Sequence, residues 1–291
     1  MTSDAKTAPQ GRVGRGARKR AKGWLPALPI VILLGVVFFY PVLSLLSISI
    51  TEPQFGLQHY QRLLTESIYL QIIGRTARVA VVVTVLTAII GYPLAFYLTA
   101  ARPKVAQIAM LALFIPFWAS ILVRTYGIMV IMGRTGVLNN ALIAVGIIDR
   151  PIQFLFNTWV VQAAMVQVLL PFFVLPLYSV LKTIDPNLMR AAHGLGASPL
   201  SVFTRIYLPL SLPGVYAGSL IVLVFSFGFF IVPSLLGGRR DVTLPMLVIQ
   251  QFEGSINWGF GAAIGTVLLI GTLAAIVAAG RLIGTDRIAA R

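Results

Sequence analysis

Apolar residues along this chain fall in long unbroken runs, without the two-residue alternation of a half-buried strand or the 3.6-residue stripe of a water-facing helix. Six uncharged runs stand out, over 24–51, 79–101, 105–123, 151–181, 206–238 and 254–280. A helix crosses a bilayer with about 20 mostly apolar residues. Trimmed at their turn signals and extended where apolarity continues past a charge, the runs predict spans over about 25–50, 76–101, 105–132, 157–181, 213–235 and 258–282. Proline recurs inside them, at Pro41, Pro93, Pro116, Pro171, Pro176 and Pro233. Each removes a backbone hydrogen bond, tolerable in lipid only where neighbours or a wet cavity satisfy the freed carbonyl, which favours a bundle around a pathway over a simple anchor.

The pattern breaks between the fourth and fifth runs. The stretch 185–215, DPNLMRAAHGLGASPLSVFTRIYLPLSLPGV, carries charges and turn punctuation where lipid-facing chain has neither. Asp185 before Pro186 reads as a helix N-cap followed by proline at the first helical position, and Ser198 before Pro199 repeats the device. Gly194, Gly196 and Ala197 permit a tight turn between the two starts, while Pro209 and Pro213 oppose continuation of the second helix. The expected element is a helix, a turn and a helix, each too short to stand alone. Such a pair needs a docking partner.

Composition narrows the class. Of 291 residues 58% are hydrophobic and 11% charged, with a mean hydropathy of +0.90; ordinary globular chains hold about 45–50% apolar and 25% charged residues. This is an integral membrane protein. Cysteine is absent and histidine is limited to His59 and His193, which excludes a disulfide framework and a thiolate or histidine metal cluster.

The net charge of +15 raises the question of nucleic acid, and its distribution answers it. Lys6, Arg12, Arg15, Arg18, Lys19, Arg20 and Lys22 crowd the first 23 residues directly before an apolar run, the placement that sets topology and touches anionic lipid headgroups. Residues 1–23 therefore read as a disordered basic arm. A cleaved signal peptide is the competing reading, but the run is long for an h-region and offers no clear small-residue cleavage site. With the N-terminus inside, cytoplasmic segments hold fifteen basic residues, including all five lysines, against seven outside, where five of the eight acids also lie. Both termini are expected in the cytoplasm.

Candidate chemistry is sparse. The chain has no GxSxG elbow, HExxH pair or phosphate-binding lysine loop, and the spans contain no Asp or Glu, which removes the relay a proton-coupled carrier needs. Arg124, in FIPFWASILVRTYG, is the one charge placed within a span, near its outer end. It either lines the outer part of a pathway or snorkels to outer headgroups. Tyr126 and Trp118 accompany it as pathway residues or as interfacial anchors. Phe225, Phe227, Phe229 and Phe230 crowd the fifth run around Gly228, as packing or as an aromatic gate. The outer turn with Gly237, Gly238, Arg239, Arg240 and Asp241 reads as a polar loop or as a docking surface for a soluble partner.

At 185–215 the pattern resembles the cytoplasmic EAA loop of permease subunits of binding-protein-dependent ATP-binding-cassette importers, with Ala191, Ala192, Gly196, Ile206, Leu208 and Pro209 in the family's places. PFWASILVRTYG, LLPFFVLPLYSVLKTIDPNL, PLSLPGV, VPSLLGG and QQF followed by NWGFGAA extend the likeness to the spermidine/putrescine-type branch over most of 25–283. Four positions depart from it, two of them His193 and Gly194, which replace the family's commoner charged pair. Arg190 stands where the family usually has the glutamate of EAA, and Phe229 stands where polyamine carriers often place a glutamate.

The resemblance implies an all-α integral membrane protein with six transmembrane helices, the type I ABC-importer permease (MetI-like) architecture, and a cytoplasmic coupling helix pair. On this reading 24–283 is the permease domain, 182–212 its coupling loop and 284–291 a cytoplasmic tail, in a bacterial inner membrane. The implied coupling residues are Asp185, Met189, Arg190, Ala191, Ala192, Gly196, Ala197, Leu200, Phe203 and Pro209; the pathway candidates are Arg124, Tyr126, Phe227 and Phe229. The implied partners are an ATPase dimer carrying ATP and Mg, a second and non-identical permease, a periplasmic or lipid-tethered solute-binding protein, membrane lipid and a small polar solute, with no nucleic acid. The chain itself is expected to bind no cofactor and to hydrolyse nothing. A polyamine is the expected solute, with an opine, amino-acid-like or organic-anion substrate as the alternative. From a different class, a stand-alone secondary transporter or channel would have no use for the helix pair.

Overall fold

Unbroken apolarity produces six helices long and apolar enough to cross a membrane, and no strand among the described residues. The computed structural model describes residues 28–283; the arm expected over 1–23 and the tail over 284–291 lie outside them. In chain order the helices are α1 (Leu28–Thr51), α2 (Gln58–Thr65), α3 (Ser67–Ala100), α4 (Pro103–Trp118), α5 (Ile121–Met132), α6 (Val137–Ala144), α7 (Thr158–Leu181), α8 (Pro186–Gly194), α9 (Pro199–Val202), α10 (Leu208–Phe227), α11 (Ile231–Leu236), α12 (Leu244–Ile249) and α13 (Trp258–Ile283).

Three helices depart from the expected spans. The second, expected over 76–101, begins at Ser67 and runs 34 residues, about 51 Å at 1.5 Å per residue against a hydrocarbon core of about 30 Å. Arg75 and Arg78 end the apolar run but not the helix, because charge is compatible with helix once it leaves lipid. The third, expected as one helix over 105–132, is two. Ala119 and Ser120 are extended, and the stretch able to cross a membrane by length is Ile121–Ala144. The break falls where Pro116 has already removed one backbone bond and Ser120, a residue type favoured at N-caps, takes cap-like backbone angles of φ −52° and ψ 138°.

The fifth, expected over 213–235, starts earlier and ends earlier. Pro209 and Pro213 do not stop it, and helix runs from Pro199 to Phe227. A π-helical turn over Phe203–Tyr207 makes this possible, with the Leu208 N–H donating to the Phe203 carbonyl. One extra residue in that turn relieves the ladder just where Pro209 has no N–H to give. The helix then stops at Gly228, and the chain resumes as α11.

Packing centres on α3, α7 and α10. Their buried face holds Val83, Ala95, Leu169, Phe173, Val174, Leu177 and Val222, with Phe173 fully enclosed. A second core at the other end joins α2, the start of α3, α12 and α13 through Leu63, Ile72, Leu244, Leu247, Phe260 and Ile264. Arg62 caps it, its guanidinium 4.8 Å from the Phe260 ring centre and 2.9 Å from Glu66. α1 packs on α13, while its first turns, through Tyr40, are exposed all round apart from Gly35. A helix apolar on every side requires lipid or another chain as its surroundings.

The loop after α11 is tied down from within. The buried Asp241 carboxylate accepts from the Thr158 hydroxyl at the start of α7 and from the Gly238 N–H at 2.8 Å, and Leu244 N–H donates to Thr76 Oγ1 at 2.9 Å. Asp241 thereby holds the loop against the positive end of the α7 dipole.

Candidate functional site

Residues 182–207 form one end of the bundle, and their local structure follows from four residues. The Asp185 carboxylate accepts from the Asn187 N–H at 2.9 Å with Pro186 in the first turn of α8. Ser198 repeats the arrangement on α9, its hydroxyl accepting from Ser201 N–H at 3.3 Å. Between them Gly196 takes φ +80°, the left-handed region that costs other residues about 1–2 kcal/mol. A Cβ there would touch nothing within 4 Å, so glycine is favoured by the backbone angle alone.

This end is at once exposed and anchored. α8 contains no buried residue, and Leu195 and Leu200 are 89% and 73% exposed. Asp185, Arg190, Ala191, Gly196 and Pro209 are also exposed, with Ala192 and Ala197 half-buried. The Arg190 guanidinium lies 3.5 Å from Asn187 Oδ1 and otherwise faces outward. Met189 and Phe203 turn the other way and pack against the three-helix core.

Phe203 is the hub of an aromatic cluster. Its ring stands edge-on to Tyr92 at 5.9 Å and Phe96 at 6.1 Å, and stacks on Tyr207 at 6.2 Å. Tyr207 in turn meets Phe96 edge-on at 5.0 Å. The Tyr92 hydroxyl bonds Ser211 Oγ at 2.9 Å. The π turn is thus fastened to the end of α3. Tyr92, Phe96 and Tyr207 are not among the residues expected from the sequence, although their signal is in the letters: Tyr92–Phe96 and Phe203–Tyr207 are both aromatic pairs four residues apart, one face of a helix each.

The four pathway candidates do not form one constellation. Arg124 lies on the α5 stripe with Ile121, Thr125 and Ile128; it is half-buried, and its Nε is enclosed without a hydrogen-bond partner. Tyr126, two residues on, projects from the far side of α5 and is exposed. Phe227 is buried and lines an apolar cavity of about 640 Å³ between α3, α10 and α13. Phe229 sits in the break after α10 against the main core.

A different aromatic row crosses three helices. Phe117 of α4, Phe172 of α7 and Phe225 of α10 follow one another at 5.5 and 4.9 Å. Gln162 on α7 and Ser226 on α10 are buried and, like Arg124, each keep a polar atom without a partner. Buried polar atoms of this kind are rare and mark functional or hydrated places.

The chain is similar to known proteins in sequence and in three dimensions. Residues 24–283 match the model of the binding-protein-dependent transport system inner membrane component. The spermidine/putrescine transport system permease protein PotB of Escherichia coli is 36% identical over 251 residues, covering 85% of this chain and 90% of that protein. The inner membrane ABC transporter permease protein YdcU of the same organism is 31% identical over 259 residues, 81% and 82% of the two chains. In three dimensions the chain resembles a bacterial alginate ABC transporter crystallised with an alginate pentasaccharide-bound periplasmic protein, with a TM-score of 0.76 at 18% identity, covering 94% of this chain and 98% of that one.

Proposed function

The chain belongs to the inner membrane components of binding-protein-dependent transport systems, and from that premise we propose that it is one of two non-identical permeases importing spermidine or putrescine. It is a multi-pass inner-membrane transport subunit of an ABC importer. The observation that carries the choice of solute is the 36% identity over nine-tenths of the E. coli spermidine/putrescine permease.

In the proposed orientation both termini are cytoplasmic, so α8 and α9 face the cytoplasm. An ATPase dimer, holding ATP and Mg, docks on their exposed leucines and on Arg190. Its closure moves α8, and the aromatic cluster carries that movement into α3 and α10. A periplasmic solute-binding protein delivers the polyamine at the opposite end. Because the described spans contain no acid, this chain meets the cation with the π faces of Phe117, Phe172 and Phe225; such contacts contribute about 0.5–2 kcal/mol each.

Cells lacking their own polyamine uptake, supplied with this chain and its companion subunits, are expected to take up labelled spermidine or putrescine in an ATP-dependent manner. Uptake of an opine or organic anion in their place would overturn the choice of solute and leave the importer class standing.

Two substitutions probe the helix pair. Gly196→Val puts a branched side chain at positive φ, a cost of about 1–2 kcal/mol or more, equivalent to about a 5- to 30-fold shift away from the native turn. Uptake is expected to fall accordingly at unchanged membrane levels, whereas Gly196→Asn, which tolerates the left-handed region, retains most of it. Arg190→Glu reverses the charge offered to the ATPase and is expected to lower ATPase retention during low-salt purification by about tenfold, with Arg190→Gln intermediate.

A further inference from the structure

The end of the bundle opposite α8 carries a second polar site away from the pathway candidates. A pocket of about 420 Å³ opens between the first turns of α3, the loop before α12 and the π-helical turn Gln250–Gly254, and its polar lining is Gln71, Arg75, Arg239, Gln250, Gln251 and Tyr69. None of Arg124, Tyr126, Phe227 or Phe229 lines it. Two guanidinium groups and three amides share the wall with Ile68, Ile72, Val242 and Leu247, and no carboxylate lines it. Among the described residues the one ion pair is Arg62–Glu66, so Arg75 and Arg239 are paired with no acid. Asp241, two residues after Arg239, is buried and committed to Thr158 and Gly238. Glu253, on the π turn itself, is exposed and outside the lining.

The site is also held in shape. Arg75 reaches the Val242 carbonyl at 3.4 Å, Tyr69 is fixed edge-on against Phe260 at 5.2 Å, and Thr76, next to Arg75, anchors the Leu244 N–H. The π turn gives the Gln250 and Gln251 side chains an offset that a regular helix would not, as such turns commonly do at functional positions. Two guanidinium groups and three amide groups around one space, with no acid among them, match a carboxylate in charge and in hydrogen-bonding capacity.

We infer that this pocket receives an aspartate or glutamate side chain of the solute-binding protein when it docks on the permease. The inference rests on the importer reading and on the orientation proposed with it, which put the pocket on the periplasmic face. A free solute is disfavoured by position, since the pocket shares no residue with the aromatic row or with Arg124.

The test uses the complete importer in nanodiscs, titrated with its own purified solute-binding protein while ATP hydrolysis is followed. For Arg75→Gln/Arg239→Gln the binding-protein concentration giving half-maximal stimulation is expected to rise about tenfold, with the maximal rate unchanged. Added salt should raise that concentration for the native importer and hardly move it for the double variant. Arg239→Gln alone, on an exposed loop, should give a smaller shift in the same direction and guards against misfolding. An unchanged half-maximal concentration overturns the inference. So does a lost maximal rate at unchanged half-maximal concentration, which would assign the arginines to solute passage. If the native importer shows no stimulation by any binding protein, the importer reading itself fails.

Discussion

Gly218→Val is expected to prevent this chain from accumulating as a folded protein. A Cβ at Gly218 would lie 2.7 Å from the Phe173 carbonyl oxygen and 3.1 Å from the Phe173 Cα, and at Gly214 it would lie 2.9 Å from the Leu177 Cα. These contacts are with backbone, which has no rotamer to change, so relief requires α10 to move off α7. The two glycines sit four residues apart, the small-xxx-small spacing that lets membrane helices approach closely. Separating the pair strips contacts from Phe173, Leu177 and Val222 together. Overpacking a core commonly costs about 1–3 kcal/mol, and a backbone clash at the tightest crossing belongs at or above the top of that range.

The measurement is the fraction of detergent-extracted protein that elutes as a single species, with its midpoint of thermal unfolding. Gly91→Ala supplies the contrast. Its added methyl would meet the Phe173 ring edge at 2.5 Å, and a ring can turn where a carbonyl cannot. The expected result is a lowered midpoint for Gly91→Ala and near-complete loss for Gly218→Val. Normal yield and midpoint for Gly218→Val would show that α7 and α10 have room to separate.

What the letters disclose and what they hide divides along the range of the interactions. The caps at Asp185 and Ser198 and the tight turn between them depend on three or four neighbouring residues and are legible in the amino-acid order alone, whereas the structure alone singles out Gly196, of Gly194, Gly196 and Ala197, as the residue at positive φ. Helix length depends on where lipid ends, which a count of uncharged residues marks only for the apolar part. That is why α3 begins nine residues before its expected span. Proline at 209 and 213 reads locally as a stop, yet the π turn upstream reorganises the ladder and the helix continues. The break at Ala119–Ser120 has the opposite character, since only Pro116 and a serine hint at it. Phe225, Phe227, Phe229 and Phe230 resemble one group because they are close in sequence. In space Phe225 faces Phe172 while Phe227 faces the cavity beside α13, since successive helical positions diverge by 100° and the helix ends at Gly228. The Gly214–Gly218 pair and the two aromatic pairs of the cluster are equally visible as spacings. Their meaning requires knowing that α3, α7 and α10 meet.

Phe203→Ala is expected to disconnect the helix pair from the bundle without unfolding either. The ring touches Tyr92, Phe96 and Tyr207, and removing it leaves a gap between the π turn and α3 in place of a clamp. Truncating a well-buried phenylalanine costs about 3–5 kcal/mol; Phe203 is half-buried at the end of the bundle, so the loss is smaller and local, and the α3–α7–α10 core around Phe173 does not depend on it. The exposed surface of α8 and the turn after it, with Leu188, Arg190 and Leu195, is untouched. Docking should therefore survive while transmission does not. In the reconstituted importer the ATPase is expected to co-purify in normal amount and to hydrolyse ATP at its basal rate, while stimulation by the binding protein and solute uptake both fall by about tenfold or more, the equivalent of about 1.4 kcal/mol of lost coupling. Phe203→Tyr keeps the ring and should behave as the native protein; Phe203→Leu should be intermediate. Loss of ATPase from the purified complex would instead make Phe203 part of the docking surface, and full uptake by Phe203→Ala would mean that force passes from α8 to the spans through α7 and the Asp185 turn rather than through the aromatic cluster.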